Sequence, residues 1–354
     1  MEYKRLVIGF GISVLVAVVG YFAMLVVGVR YQMPLLKNAE VWLKDVYAMK
    51  DRLNKKPTQR PRVLIFGGSN VLFGFNGAMI EANVPVRFIN YGTHAGLPIN
   101  YQVDKILHTA RSGDIVFYSP VFSAFFATEP YEDLWYVQNM ISWDKEYDKF
   151  ITKKSVFLAY LYNDPMRIFQ NLAKILVRSL LKTKEPATPK ATATPTKKLL
   201  KDGLQIVPCG QEFYGYSYRS LSANGDFCSQ YTATSLAANE PYIYAEATLS
   251  RFFIQEFSRL QDFAKRSGIK VFLLYPVSME NPLFSHNDSK TLEKINRLES
   301  QLLARGIGFA NSWKDAHFDR KYFYDTGYHL NKHGVELHTI AFIKLLRSIL
   351  QAEG

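Results

Sequence analysis

From residue 62 onward, short apolar runs alternate with longer amphipathic stretches. Residues 63–66 are Val, Leu, Ile and Phe, a run that reads as a central strand buried on both faces. A short helix is predicted near 75–83, a second strand over 86–92, a helix near 97–111 and a third strand over 114–120. The pattern then breaks and resumes near residue 245. Phe252, Phe253, Phe257, Leu260 and Phe263 share one side of a predicted helix over 245–267. A strand over 269–276, a helix over 289–305, a short strand over 306–310 and a helix over 334–352 complete the chain. Strands separated by helices of this length make βαβ units and a parallel sheet. The expected fold is therefore α/β, a three-layer parallel sheet of about five strands in flavodoxin-like order.

Two segments fall outside this alternation. Residues 6–29 carry no charged side chain, a length that crosses a bilayer core of ~30 Å as a helix. Lys4 and Arg5 precede the run, residues 1–5 being taken as a cytoplasmic N-terminus, and no A-x-A-like site follows it. The segment reads as an uncleaved transmembrane signal anchor; a buried soluble helix would rarely be apolar on every face. Residues 30–60 follow as a tether with helical spacing of Val41, Leu43, Val46, Tyr47, Met49 and Leu53. The alternating domain then falls into two parts, 61–120 and 246–354. Residues 121–245 between them read as an insertion or cap. That stretch holds the aromatics Phe122, Phe125, Phe126, Tyr131, Trp135 and Tyr136, which suit packing against the sheet or stacking on sugar rings. It also holds a helical pattern over 155–181 and a Lys/Pro/Thr-rich loop over 182–201, expected to be disordered.

Charge and cysteine content narrow the setting. The net charge of +12 suits an anionic membrane surface, nucleic acid or an acidic polymer as neighbour. The basic residues are spread out with no interleaved aromatic-basic motif, so nucleic acid is not expected. Cys209 and Cys228 are the only cysteines. They read as a disulfide within a Gly/Ser/Tyr-rich stretch, or as two unrelated thiols. A disulfide requires an oxidising compartment, which with the anchor points to an extracytoplasmic domain.

The candidate chemistry sits at predicted strand ends, where parallel sheets place their ligands. Gly67-Gly68-Ser69-Asn70 ends the first strand, and Ser69 is either a nucleophile or the N-cap of the next helix. Asp325 and His329 precede the last helix; an imidazole can take the serine proton and a carboxylate can orient the imidazole. Gly92 ends the second strand, where its N–H, with that of Ser69, would serve an oxyanion. His94 lies beside it as a lining residue or a polar turn residue. His333 is expected to be solvated at a helix start. The spacing of histidines and carboxylates shows no metal pattern and no phosphate-binding glycine loop, so neither metal nor cofactor is expected.

These motifs resemble the SGNH (GDSL-type) hydrolase superfamily. Gly67-Gly68-Ser69-Asn70 is similar to its first block, Asn90-Tyr91-Gly92 to its second, and Asp325 with His329 to its last. The wording around residues 90–97 and 328–334 is similar to membrane-anchored bacterial members that accompany membrane-bound O-acyltransferases. The resemblance covers roughly residues 60–120 and 245–350. It implies a serine-dependent O-acyl esterase or acyltransferase acting on a cell-envelope polysaccharide or glycolipid, at the inner (cytoplasmic) membrane with a periplasmic domain. The alternative is a non-catalytic subunit that binds polymer or docks an O-acyltransferase. Two departures bear on the site. The third block usually supplies an Asn to the oxyanion hole; here Ser119 stands in Tyr118-Ser119-Pro120, with a shorter reach. Three residues rather than two separate Asp325 from His329. Gly327 is expected to absorb the extra residue; otherwise Asp319 or Asp315 becomes the candidate acid.

Overall fold

In the computed structural model the described residues are 2–31, 42–130, 140, 144, 146–150, 198–199, 203–228 and 238–352. The chain divides into two compact units, Met1–Lys44 with Glu132–Ala187, and Asp45–Tyr131 with Thr188–Gly354. The first contains the apolar helix α1 (Glu2–Tyr31). Its stretch Tyr3–Met24 is 22 residues of high hydropathy. At 1.5 Å per residue that is about 33 Å, enough to cross a bilayer. A secretion signal shares this length and composition. The helical pattern over 155–181, the loop over 182–197, and Tyr131, Trp135 and Tyr136 lie outside the described residues.

The second unit is built on a four-stranded parallel sheet. Its strands are β1 (Arg62–Gly67), β2 (Arg87–Asn90), β3 (Ile115–Ser119) and β6 (Lys270–Leu273), in the order β2-β1-β3-β6. Strand periodicity sorts their side chains onto two faces. Leu64, Phe66, Val116 and Tyr118 join one core with helices α5 (Ile99–Thr109), α7 (Arg251–Ser267) and α8 (Ser289–Leu303). Val63, Ile65, Ile115 and Phe117 join the other with α4 (Gly77–Asn83) and α9 (Lys332–Gln351). The expected fifth strand is reduced to one parallel bridge, Leu273 to Phe309, closed by Ala310 N–H donating to the Leu273 carbonyl at 2.8 Å.

The helix ends carry the local signals expected of them. Ser250 accepts from Phe253 N–H to open α7, and Gly268 closes it in the left-handed conformation (φ 66°). Asp288 caps α8 and Asn331 caps α9, beside the exposed His333. Phe253, Phe257 and Leu260 are buried on α7, with Phe252 and Phe263 partly so.

The tether and the insertion differ from the expectation. Residues 42–55 form helix α2 (Trp42–Lys55), which packs into the second unit from Asp45 onward. Val46, Tyr47, Met49 and Leu53 are buried, and so is Lys50, at 0% exposure. Its Nζ donates to the carbonyls of Asn90, Gly92 and Gly225 at 2.7, 2.6 and 2.7 Å. Three short donors use every N–H of an ammonium. Burial lowers the Lys50 pKa, while the charge of Asp226 opposes that.

Much of the described part of 121–245 is core rather than appendage. Helix α6 (Phe122–Phe126) buries Phe122 and Phe125. Residues 222–227 cover the β2 edge, where Asn90 N–H donates to the Asn224 carbonyl at 2.8 Å and Asn224 Nδ2 donates to the Phe88 carbonyl at 2.9 Å. An uncovered strand edge is a row of unpaired backbone groups, so this cover completes the sheet. The end of the expected disordered loop is also ordered: β4 (Lys198–Leu199) pairs antiparallel with β5 (Gln205–Ile206) because Leu204 and Ile206 bury into the core beside α4. A small parallel pair, β7 (Ser278–Met279) and β8 (His317–Phe318), follows β6.

Replacing Lys50 by Met leaves three buried carbonyls without a donor. The expected loss is about 3 kcal/mol or more, since each orphaned group costs ~1–3 kcal/mol. A urea denaturation midpoint near that of the native protein would contradict this.

Candidate active site

Ser69 stands where β1 turns into the short helix α3 (Ser69–Leu72). Gly67 makes the turn possible: a Cβ there would lie 2.3 Å from the Ser119 carbonyl oxygen. The residue at the N-cap is Gly68, and no side chain caps the helix. Ser69 is thus the first helical residue, and its hydroxyl is not spent on capping. The N-cap alternative is excluded.

The loop after β2 closes against this turn. Thr93 N–H donates to the Gly67 carbonyl at 3.2 Å. Asn90, fully buried, holds both sides: its Nδ2 donates to the Val71 carbonyl at 2.8 Å, and its Oδ1 accepts from Gly92 N–H at 2.8 Å. The Gly92 N–H expected to face an oxyanion is therefore engaged by its own strand. His94 follows, with Nδ1 accepting from Gly96 N–H at 3.0 Å. That acceptor role puts the proton of the neutral ring on Nε2. Burial, reinforced by the nearby His329, lowers the His94 pKa to about 4, so the ring is neutral at pH 7.

Ser119 and Asn70 form a clip of their own. Asn70 Nδ2 donates to the Ser119 carbonyl at 3.0 Å and to its Oγ at 3.2 Å. Ser119 Oγ donates onward to the Tyr275 carbonyl at 3.3 Å. Both side chains are buried and tie the β3 end to α3. Neither offers its donor to a substrate in this arrangement, because each is already committed to a carbonyl.

Asp325 and His329 meet despite their spacing. Loop 323–330 is closed by an antiparallel bridge between Phe323 and Leu330, and Tyr324 N–H donates to the His329 carbonyl at 2.8 Å. Asp325 Oδ1 lies 2.7 Å from His329 Nδ1. A proton on Nδ1 leaves Nε2 as the basic nitrogen. Gly327 is needed here for close approach: its carbonyl accepts from the Tyr242 hydroxyl at 2.8 Å, and a Cβ would collide with that oxygen. Asp315 and Asp319 are exposed, and Asp319 pairs with Lys321 at 3.3 Å. Asp325 is the carboxylate that reaches the imidazole.

An aromatic ring links this pair to the serine. Phe73 is the residue after α3, and its N–H donates to the Ser69 carbonyl at 2.9 Å. Its ring is stacked on that of His329, with centroids 4.2 Å apart and planes 10° from parallel. His329 therefore rests against the helical turn that Ser69 begins. Tyr216 completes the group. Its hydroxyl is 3.0 Å from Asp325 Oδ2 and 3.3 Å from His329 Nδ1. It is carried by the segment between Cys209 and Cys228, which form a disulfide with Cα atoms 5.6 Å apart. Closing a loop of this length is worth roughly 3 kcal/mol in the chain-entropy model. Burial works against the charged Asp325, but the hydrogen bonds from His329 and Tyr216 outweigh it and hold its pKa below the ordinary carboxylate value.

Sequence reasoning passed over Phe73 and Tyr216. Phe73 lies four residues after Ser69, one helical turn on, which was a usable signal. Tyr216 had none beyond its place inside the disulfide loop. A cavity of about 330 Å³ opens beside the site, lined in part by Ala95, Gln102, Val121, Ala124, Phe252 and Tyr328. Ala95 packs on Gly68, and Tyr328 adjoins His329. The chain matches no protein-family model, and no curated protein is significantly similar to it.

Replacing Tyr216 by Phe removes one hydrogen bond from the Asp325 carboxylate, so its pKa is expected to rise. A depressed carboxylate stabilises the fold above its unfolded pKa, and that contribution is lost as pH falls through the folded value. The variant should therefore lose less stability than the native protein on acidification below about pH 4, the unfolded value. A carboxyl-carbon NMR titration reads the Asp325 shift directly; an unchanged midpoint would refute the role given to Tyr216.

Proposed function

We propose that the protein is a serine O-acyl esterase or acyltransferase of the SGNH type, anchored in the membrane by α1 and acting on a cell-envelope polysaccharide or glycolipid. The observation that carries this reading is a serine that opens α3 at the carboxyl end of β1, on the helical turn whose Phe73 stacks on an imidazole oriented by a carboxylate. Order β2-β1-β3-β6, extended by the bridge at Phe309, supports a flavodoxin-like, three-layer arrangement. The disulfide and α1 support an extracytoplasmic setting at the bacterial inner membrane, with the second unit periplasmic.

In this reading Ser69 Oγ attacks the acyl carbonyl and passes its proton to His329 Nε2. Asp325 holds Nδ1–H and stabilises the imidazolium that forms. The alcohol leaves with that proton, and the acyl group remains on Ser69. A water or a sugar hydroxyl then attacks the acyl-enzyme, with His329 again as base. The oxyanion is served by Ser69 N–H and by the neutral His94 through Nε2–H, since the Gly92 and Ser119 donors are committed elsewhere. The cavity beside Ala95 and Tyr328 would take the acyl group, and a partner membrane-bound O-acyltransferase could supply it.

A second reading keeps the scaffold without the chemistry, as a subunit that binds polymer or docks such an acyltransferase. The internal hydrogen bonds of Gly92 and Ser119 favour it. A fluorophosphonate probe separates the two. Labelling that disappears in Ser69→Ala supports catalysis; release of acyl groups from a chromogenic ester and acylation of the envelope polymer both unchanged by that substitution would sink it. If His94 is an oxyanion donor, His94→Ala should lower kcat by about 10²–10³, the usual cost of one such donor. A change confined to KM would assign it to binding instead.

A further inference from the structure

A second group of chemically capable side chains lies away from Ser69, around the small β7–β8 sheet. Register pairs Ser278 with His317 and Met279 with Phe318, and Glu280 N–H donates to the Phe318 carbonyl at 2.8 Å. This pairing sets Glu280 beside His317. The turn after β7 then brings back His286, whose N–H donates to Glu280 Oε2 at 3.1 Å. His317 Nε2 is 2.6 Å and His286 Nδ1 2.7 Å from the same Oε2. One ligating atom from each residue lies within 4.8 Å of the others.

We propose that Glu280, His286 and His317 form a three-ligand site for a divalent transition-metal ion of the zinc class. Two imidazoles and one carboxylate are a donor set such ions accept, with further positions left for water. The support around His317 is of the kind a ligand needs. Its side chain is 4% exposed, and its ring packs beside Trp313 and Phe284 at centroid distances of 4.6 and 5.7 Å. Its other nitrogen, Nδ1, is 2.9 Å from Ser278 Oγ, which also accepts from Trp313 Nε1 at 3.2 Å. A hydroxyl can donate to that nitrogen or accept from it. When Nε2 takes a metal the ring proton moves to Nδ1, and Ser278 receives it without rearrangement of the strand. His286 is the entrance. Its side chain is 51% exposed, so its ring can swing outward to the 2.0–2.1 Å bond a metal requires and place its own proton on the solvent side.

Distance in sequence hid this group. Glu280 and His286 are six residues apart, and His317 comes 31 residues later, a spacing that matches no short metal motif.

The test uses the full chain in detergent, without a polyhistidine tag, stripped by chelator and titrated with Zn²⁺ or Co²⁺ alone. The expected result is one ion per chain, with the visible absorption of low-coordinate Co²⁺. His286→Ala removes the exposed ligand and leaves the part-buried Glu280–His317 pair intact. It should weaken binding by more than the roughly 10–100-fold that losing a supporting residue costs. Ser278→Ala should fall within that range. His108→Ala, which alters an exposed histidine on α5, should change nothing. No stoichiometric ion in the native protein, or equal binding by native protein and a folded His286→Ala variant, would overturn the proposal.

Discussion

The arrangement of the second unit depends on one buried cation. Lys50 Nζ is completely enclosed and binds three carbonyl oxygens from three chain positions: Asn90 at the end of β2, Gly92 in the loop beyond it, and Gly225 in the disulfide-linked segment. Burying an ammonium is costly unless each N–H finds a partner. Here each does, so α2, the β2 loop and the edge cover are held to one another by a requirement rather than by general apolar packing. Asp226 lies in the same region, its Oδ2 accepting from Gly77 N–H at 3.0 Å. Burial raises its pKa to about 6, although the hydrogen bonds from Ser222 and Gly77 and the charge of Lys50 oppose that. On both residues burial outweighs the opposing charge of the other.

From that anchor the candidate site follows in steps. The Gly92 carbonyl is fixed by Lys50 and its N–H by Asn90, so the loop carrying His94 is held through both peptide groups that flank Gly92. The same Asn90 reaches the Val71 carbonyl and locks α3, the helix that begins with Ser69. On the far side, Phe227 N–H donates to the Leu72 carbonyl at 2.9 Å, one residue before the disulfide-bonded Cys228. Phe73 then stacks on His329, and its ring also meets those of Phe227 and Tyr216. The serine lies 256 positions before the carboxylate and 260 before the imidazole, yet each is positioned by contacts with the same short helix or with its neighbours.

Much of the scaffold was legible beforehand. The run Val63 to Phe66 read as a strand buried on both faces, and the Phe-rich side of α7 read as the buried face of an amphipathic helix. The caps at Ser250, Asp288 and Asn331 mark helix starts by side-chain chemistry that acts locally. The cysteine pair and the Asp325–His329 pair were visible because their partners are close in sequence. Legibility failed where a polar group was judged without its partner. Lys50 went unmarked among the apolar positions of the tether, and Gly92 and Ser119 looked like donors to an oxyanion. Glu280, His286 and His317 were among the spread-out carboxylates and histidines whose spacing showed no metal pattern.

The sequence by itself determined most of the elements, their faces and the long apolar N-terminal helix, because those rest on hydrophobic periodicity and on neighbours within a few positions. It also determined that a serine would stand just beyond β1 and an Asp–His pair just before the last helix. Only the tertiary structure decided what each polar group does. A hydrogen bond is satisfied within about 3 Å in space, whatever the separation along the chain. Lys50 meets Gly225 across 175 positions and Tyr216 meets His329 across 113. Such distances carry no periodic signal, so the buried lysine and the tyrosine over Asp325 emerge only when the sheet and its covering segment are assembled.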